Sequence, residues 1–183
     1  MKNVFLDCGA MDGDVTARWM KTFADWDYYL FEADPCKADE LGARFADCAN
    51  VRVKHCAVWD EGDVLLLHRR EKPCGSTFFA DKTTGGEEVA IEPVPAVDFG
   101  VWVEDHLSES DCVVMKLNVE GAEYRVIRRM AEVGVLAWVD VLYVGWHACK
   151  VPSLRSEHAR ALRLLRESGV RWKEWRWPSP AGF

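Results

Sequence analysis

The sequence predicts an α/β fold in which a mostly parallel sheet carries helices on both faces. Short apolar runs alternate with segments whose apolar residues recur at helical spacing, and this alternation is typical of parallel strands joined by right-handed crossovers. The middle of the chain departs from the pattern, because two strand-like runs there have no helix between them. The sequence therefore predicts an antiparallel excursion after the third strand.

The first third of the chain supplies three strands and two helices. Val15, Trp19 and Phe23 recur at helical spacing and predict the first helix, and Pro35 suits the first turn of the second. In chain order, the predicted elements are a strand at Val4–Leu6, a helix at Thr16–Ala24, a strand at Tyr28–Phe31, a helix at Cys36–Phe45 and a strand from Val51 to about Val58.

The middle of the chain is predicted to be a pair of antiparallel strands with a glycine-rich connection. The strands are expected at Val64–His68 and Glu88–Val94, and the polar stretch from Lys72 to Gly86 is expected to be a mobile loop. Asp98–Leu107 follows as a short helix.

The last third returns to alternation. Apolar runs predict strands at Cys112–Met115 and Val139–Val144, and Gly169 is placed to close the last helix. Val170–Trp177 is expected to be an edge strand. The helix between the two core strands has one apolar face, made by Ala122, Val126, Ile127 and Met130, and the last helix has another, made by Leu154, His158, Ala161, Leu162 and Leu165.

Length and charge exclude several classes of protein. A chain of 183 residues with 49% hydrophobic composition predicts one domain, over residues 1–183, that buries a full core. The net charge of −7 argues against a nucleic-acid binder. No apolar run approaches the roughly 20 residues of a membrane span, and a core strand begins almost at the first residue. We therefore expect no membrane partner, no signal peptide and a cytoplasmic location.

The cysteines do not point to a metal or a disulfide framework. There are seven, an odd number, and no two are spaced as C-x-x-C. Several lie in apolar runs, where a thiol acts as a small hydrophobic group. The sequence predicts reduced cysteines and no metal site, which again favours the cytoplasm.

Acidic residues and glycines follow the first two strands. Asp7 is followed by Gly9 and Gly13, and Glu32 comes nineteen residues beyond Gly13, at the end of the second strand. Ligands of open α/β sheets bind beyond the carboxyl ends of the strands, and a carboxylate at this distance suits a ribose diol.

Asp7 favours one nucleoside ligand over another. A dinucleotide would place its pyrophosphate on the glycine turn, where a carboxylate repels it, and the D-x-G-x-x-x-G pattern is not the G-x-G-x-x-G of dinucleotide sites. S-adenosylmethionine has no phosphate, carries a sulfonium cation and ends in an ammonium group. The residues therefore favour S-adenosylmethionine, although a tight turn that merely contains acids is also compatible with them.

The chain resembles the FkbM-type S-adenosylmethionine-dependent methyltransferases. The resemblance runs from about Phe5 to His147, and its most specific piece is the K-L-N-V-E-G-A-E run. It implies a Rossmann-like class I methyltransferase fold and methylation of hydroxyl groups on sugars or secondary metabolites. The residues that carry it are Phe5-Leu6-Asp7-Cys8-Gly9-Ala10, Tyr29-Leu30-Phe31-Glu32, Gly75-Ser76-Thr77, Met115-Lys116-Leu117-Asn118-Val119-Glu120-Gly121-Ala122-Glu123 and Leu142-Tyr143-Val144-Gly145-Trp146-His147.

Four positions depart from the family's usual pattern. The family has asparagine at Met11, proline at Ala33, aspartate at Asn118 and often glutamate at Gly145. The last two changes each remove a carboxylate near the expected reaction centre. They make catalytic competence and substrate choice the open questions.

The cofactor residues are expected at the ends of the first four strands. Asp7 would act on the ammonium group directly or through water, Glu32 would hold the ribose hydroxyls, and Ala57 and Val58 would flank the adenine. The complete predicted set is Asp7, Gly9, Ala10, Asp12, Glu32, Ala57, Val58 and Asn118.

The acceptor side is expected beyond the fourth and fifth strands. His147 is the first candidate for the catalytic base, since an unperturbed imidazole has a pKa near 6.5, and a partly buried histidine bonded to backbone is the competing interpretation. Glu120 is the second candidate base. Ser76 and Thr77 would contact the substrate or form an ordinary polar turn. Lys116 lies in an apolar strand and needs a partner, either Glu120 or another acid.

Three other functions are compatible with the sequence. The chain could methylate nitrogen, carbon or a macromolecule, it could bind S-adenosylmethionine without catalysis, or it could bind an NAD-type cofactor. The expected partner is a small molecule or a sugar hydroxyl. A homodimer is possible, because the tryptophan-rich last strand offers an edge for pairing.

Overall fold

The computed structural model describes residues 1–176. Within them the chain forms nine strands and five α-helices. The strands are β1 Asn3–Cys8, β2 Asp27–Glu32, β3 Val51–His55, β4 Ala57–Trp59, β5 Asp63–Arg70, β6 Glu88–Asp98, β7 Cys112–Leu117, β8 Val141–Val144 and β9 Arg171–Glu174. The helices are α1 Asp14–Met20, α2 Pro35–Arg44, α3 Phe99–His106, α4 Glu123–Val133 and α5 Glu157–Ser168.

The main sheet has six strands in the order β3-β2-β1-β7-β8-β9, and every neighbouring pair is parallel. The chain runs outward from β1 to β3 and then from β7 to β9 on the other side. The strand order therefore reverses between β1 and β7, where open α/β sheets bind their ligands. The predicted α/β class with a mostly parallel sheet is confirmed.

Helices cover both faces of this sheet, because alternate residues of β1 face opposite layers. Phe5 packs in the cluster that holds Trp19 of α1 and Leu41 of α2. Val4 and Leu6 pack in the cluster that includes α3, α4 and α5. The stacked rings of Phe5 and Trp19, with centroids 4.8 Å apart, fix α1 against the sheet beside the reversal point.

The third predicted strand is wrong in its length. The chain turns at Cys56, whose amide donates to Lys54 O at 3.0 Å, so β3 stays in the main sheet and β4 joins a second one. Ala57 and Val58 remain buried after the turn. No glycine or proline marks the break at Cys56, and valines before it and apolar residues after it are equally compatible with one continuous strand, so the sequence does not reveal it.

The antiparallel excursion is confirmed. β5 and β6 pair antiparallel, and β4 adds to β6 in parallel, which gives a three-stranded sheet. The mobility expected for Lys72–Gly86 stays a prediction, and the connection over residues 71–87 is hydrogen-bonded at several points. Thr77 forms a bridge with His68, Thr83 N donates to Lys150 O at 2.9 Å, and Ser153 N donates to Asp81 at 2.8 Å. We call this connection the 71–87 loop.

Several elements begin or end a few residues away from their predicted bounds. α1 begins at Asp14 and ends at Met20 rather than spanning Thr16–Ala24, and a 3-10 helix at Val135–Trp138 takes the residues before β8. β9 lies at the sheet edge, as predicted, and Trp177 lies outside the described residues. The homodimer stays a prediction. In the part of the chain described, no helix is both long enough and apolar enough for a membrane crossing.

Candidate active site

Two adjoining cavities open at the carboxyl ends of the main-sheet strands. Both are lined by Gly9, Met11, Cys74, Asn118 and Glu120. The first cavity extends toward Phe31, Glu32, Ala57, Val58 and Ser76. The second extends toward Ala10, Asp12, Lys116, Gly145, Trp146, His147, Lys150 and Trp175 and has a volume of about 490 Å³. Sites for small molecules are commonly roughly 300–1,000 Å³.

The turn from β1 to α1 lines both cavities and requires glycine at its start. Gly9 has a φ of 79°, and a Cβ there would lie 2.1 Å from Asn118 O. The amides of Gly9 and Ala10 both donate to Phe31 O, at 2.9 and 3.1 Å. Met11 also has a positive φ, of 53°. The turn thus brings backbone close to β7 with no side chain between them.

Glu32 is fixed by this turn. Its carboxylate accepts hydrogen bonds from Met11 N at 2.8 Å and Asp34 N at 2.9 Å. Burial raises the pKa of Glu32 above its ordinary value, against the lowering effect of the two amide bonds. A carboxylate that accepts two bonds can accept more, since its two oxygens together offer about four lone-pair sites. Ala57 and Val58 form apolar wall in the same cavity.

Asp7 lies beneath the cavities and does not line either of them. It is fully buried (0% exposed), accepts from Thr16 Oγ1 at 2.7 Å and pairs with Lys116 Nζ at 2.8 Å. Lys116 Nζ also donates to Gly9 O at 2.6 Å and lines the second cavity. The acid that Lys116 was expected to need is therefore Asp7. Any influence of Asp7 on a ligand passes through Lys116.

Asp12 presents the exposed carboxylate of the turn. It lines the second cavity, and its Oδ1 accepts from Asp14 N at 3.1 Å. This places a negative charge on the cavity wall next to Ala10.

Two carboxylates enclose His147. Its Nε2 lies 2.9 Å from Glu120 Oε1, and its Nδ1 lies 2.8 Å from Glu123 Oε1. Glu123 is buried and also accepts from Val119 N and Gly121 N, at 2.8 and 3.0 Å. These amides belong to the segment between β7 and α4, so Glu123 fixes that segment and aims His147 at Glu120. In the described residues, no group of three or more His, Cys, Asp or Glu side chains could hold a metal ion.

The electrostatics of this group correct the expectation for His147. Burial on its own would lower the pKa of His147, but the charges and hydrogen bonds of Glu123 and Glu120 raise it to about 9. Burial on its own would raise the pKa of Glu120, but His147 and Lys82 hold it at about 2. At neutral pH His147 is an imidazolium that donates both N–H groups, so it has no lone pair with which to take a proton.

Lys82 is a site residue that the sequence did not single out. Its Nζ donates to Glu120 Oε2 at 2.5 Å and to Gly75 O at 2.6 Å. A single lysine in a polar, glycine-rich loop gives no pattern that would distinguish it from a solvent-exposed one.

Of the two predicted substrate residues, Ser76 and Thr77, only the first lines a cavity. Ser76 lines the first cavity, and its Oγ accepts from Arg70 N at 3.3 Å. Thr77 is 1% exposed and lines neither cavity, while its Oγ1 donates to Glu120 O at 2.7 Å. Thr77 therefore supports the backbone of Glu120, which has an unusual positive φ of 53°.

Asn118 and Gly145 lie against each other at the ends of β7 and β8. A Cβ at position 145 would lie 1.9 Å from Asn118 Oδ1. Asn118 lines both cavities and Gly145 lines the second. The two departures from the family pattern are thus one local arrangement.

Comparison with known proteins agrees with this geometry. The family model for the methyltransferase FkbM domain matches residues 7–171, which span most of the chain. No curated protein and no solved structure matches the chain. The matched region contains the end of β1, the turn after it, the residues around His147 and all cavity-lining residues except Glu174 and Trp175. The chain therefore belongs to the FkbM methyltransferase family.

Proposed function

We propose that this methyltransferase uses S-adenosylmethionine and methylates a hydroxyl group of a sugar or another small metabolite. The observation that best supports this proposal is that Glu120 lines both cavities and presents an ionised carboxylate where they meet. A methyl donor that extends from the first cavity past Gly9 into the second, and a hydroxyl acceptor in the second, would come together at this side chain. The general use of S-adenosylmethionine by the family supports the choice of donor.

The residues present fit this cofactor. Gly9 presents backbone without a side chain to both cavities, and Glu32 retains lone pairs for the two ribose hydroxyls. Ala57 and Val58 offer an apolar surface for the adenine. Asp12 offers a carboxylate for the ammonium group, with Ala10 and Asn118 beside it. When bound, S-adenosylmethionine supplies a methyl group already activated by the sulfonium.

Glu120 has the position and charge to serve the acceptor. It would accept a hydrogen bond from the acceptor hydroxyl, orient its oxygen and take its proton. A carboxylate whose pKa is about 2 is a weak base, so this transfer occurs late, once the hydroxyl oxygen has gained positive charge. His147 acts as a positioning residue that holds Glu120 from the opposite side.

A domain that binds the cofactor without catalysis is the second candidate. It is favoured by Asn118 and Gly145, each of which replaces a family carboxylate at the centre of the site. The retained carboxylates of Glu120 and Glu123 favour the enzyme.

Transfer of a labelled methyl group from S-adenosylmethionine to a panel of sugars and small hydroxylated metabolites tests the proposal. We expect transfer by the wild-type protein and a decrease of roughly 10²–10⁴-fold in kcat for Glu120→Gln, the usual contribution of a general base. Glu109→Gln, at an exposed carboxylate away from the site, is the matched control and should keep the wild-type rate.

Two results would contradict the proposal. Cofactor binding by the folded protein with no transfer to any acceptor would favour the non-catalytic domain. An unchanged rate in Glu120→Gln would remove Glu120 from the reaction.

A further inference from the structure

The 71–87 loop contacts Glu120 at both its backbone and its side chain. Thr77 Oγ1 donates to Glu120 O at 2.7 Å, and Lys82 Nζ donates to Glu120 Oε2 at 2.5 Å. Lys82 Nζ also donates to Gly75 O, within the loop, at 2.6 Å. One ammonium group therefore joins two parts of the loop to the carboxylate between the cavities.

Because Lys82 is buried, its contact with Glu120 depends on the charge that Glu120 carries. Its side chain is 0% exposed and its ammonium pairs with Glu120. A buried lysine without a charged partner is strongly unfavourable, whereas a loop opened to solvent would hydrate it. The closed loop thus needs an ionised Glu120, and the ionised form of Glu120 is in turn favoured by the closed loop.

The other charged groups around Glu120 do not replace Lys82. His147 donates to Oε1, the other oxygen of the carboxylate. Lys150 Nζ is 3.8 Å from Oε2 and its side chain is 39% exposed. The titratable groups that face the pair from the surrounding elements are His147, Glu123, Lys150, Lys116 and Cys74.

We propose that Lys82 is a positioning residue that couples closure of the 71–87 loop to the charge on Glu120. The loop is then closed when Glu120 is ionised and aimed for reaction, and it opens when that charge is lost. The role of Lys82 in methyl transfer rests on the proposed function, but the coupling between loop and carboxylate does not.

Amide hydrogen exchange in the wild type, Glu120→Gln, Lys82→Met and the double variant forms a double-mutant cycle that tests the coupling without any substrate. In Glu120→Gln, Lys82 is buried beside a neutral group, and we expect exchange in residues 72–86 to accelerate at least tenfold. Adding Lys82→Met removes the uncompensated charge and should restore most of the protection. Adding Lys72→Met instead, at an exposed lysine of the same loop, should restore none.

The cycle has clear contrary outcomes. Unchanged exchange in Glu120→Gln, or equal restoration by Lys72→Met, would overturn the proposal. Exchange of the β1 and β7 amides reports whether the fold is intact in each protein. If Glu120→Gln does not fold, the proposal requires the Lys82→Met double variant to fold, and its failure to do so would also overturn the coupling.

The pH profile of methyl transfer tests the catalytic part. Removal of a charge in direct contact should raise the pKa of Glu120 by roughly 1–3, so the kcat of Lys82→Met should decrease with acid at a higher pH than in the wild type. Lys82→Arg keeps the charge and should retain most of the wild-type profile, while the KM for the cofactor stays unchanged in both. A Lys82→Met profile identical to wild type would show that Lys82 has no effect on Glu120 during turnover. If no variant and no wild-type sample turns over, the proposed function fails while the exchange cycle still decides the coupling.

Discussion

His147 shows how strongly neighbouring charges change the chemistry of one residue. Glu120 and Glu123 contact its two ring nitrogens at 2.9 and 2.8 Å. These contacts raise the pKa of His147 from 6.5 to about 9, so at neutral pH the side chain is a cation held beside Glu120. The base in our proposal is therefore Glu120, the other candidate in the sequence.

The raised pKa of His147 predicts a pH dependence of stability. A group whose pKa rises from 6.5 to about 9 on folding stabilises the protein fully below pH 6.5 and loses that contribution as the pH rises through about 9. The difference corresponds to on the order of 3 kcal/mol in the free energy of unfolding. Denaturant unfolding of the wild type and of His147→Gln between pH 6 and 9.5 measures it.

The comparison between the two proteins isolates His147, because their other titrating groups are the same. The wild type should lose its advantage over His147→Gln as the pH increases. Parallel stability curves across this range would contradict a protonated His147 in the folded protein.

At the residue scale the sequence could predict which side chains lie at strand ends but not their partners. Asp7 and Lys116 are 109 residues apart in sequence and 2.8 Å apart in the structure. This pair also weakens the electrostatic argument against a dinucleotide, since Lys116 neutralises the acid on which that argument depended. The choice of S-adenosylmethionine as cofactor therefore depends more on the family match than on the charge of Asp7.

At the scale of elements, the carboxyl ends of β7 and β8 determine the shape of the site. These neighbouring parallel strands bring Asn118 against Gly145, so the side chain at 118 occupies the space where one at 145 would begin. A sequence read position by position shows two unrelated departures from the family pattern. The strand register shows that the two positions are neighbours, and that the absence of a side chain at Gly145 leaves room for the side chain of Asn118.

This contact predicts that the two positions are coupled. Gly145→Ala should destabilise the protein by about 1–3 kcal/mol, because the new Cβ overlaps the Asn118 side chain. Gly145→Ala combined with Asn118→Ala should recover most of that loss. Gly42→Ala is the control, because that helical glycine has no atom within 4 Å of a new Cβ, and it should be neutral or stabilising.

Thermal unfolding of the wild type, Gly145→Ala, Asn118→Ala and the double variant measures the coupling, with Gly42→Ala as a fifth, control protein. Equal costs for Gly145→Ala with and without Asn118 would contradict the contact.

Elements with strong periodicity were predictable, whereas breaks within apolar runs were not. The helix after β7 buries Val126, Ile127 and Met130, as its spacing indicates. The turn at Cys56 was missed, because no glycine or proline marks the point where the chain passes from the main sheet to the second sheet.

At the scale of the whole molecule, the order of the strands brings the residues of the candidate site together. Parallel strands place the residues after β1, β2, β7 and β8 along one edge, so most of the candidate site could be predicted as soon as the strands were. Lys82 could not, because it reaches this edge from the connection between β5 and β6. Its position depends on the contacts of the 71–87 loop with Glu120, which the order of the strands does not predict.

Calorimetric titration with S-adenosylhomocysteine tests most directly whether this edge is an S-adenosylmethionine site. We expect the wild-type protein to bind, Glu32→Ala to bind more weakly by about 1–3 kcal/mol since it loses hydrogen bonds to a charged acceptor, and Glu109→Ala to bind as the wild type does. The affinity of the wild type should also decrease on acidification at a higher pH than an ordinary glutamate would give, because the pKa of Glu32 is raised. Folded wild-type protein that binds NAD but neither S-adenosylhomocysteine nor S-adenosylmethionine would contradict the account.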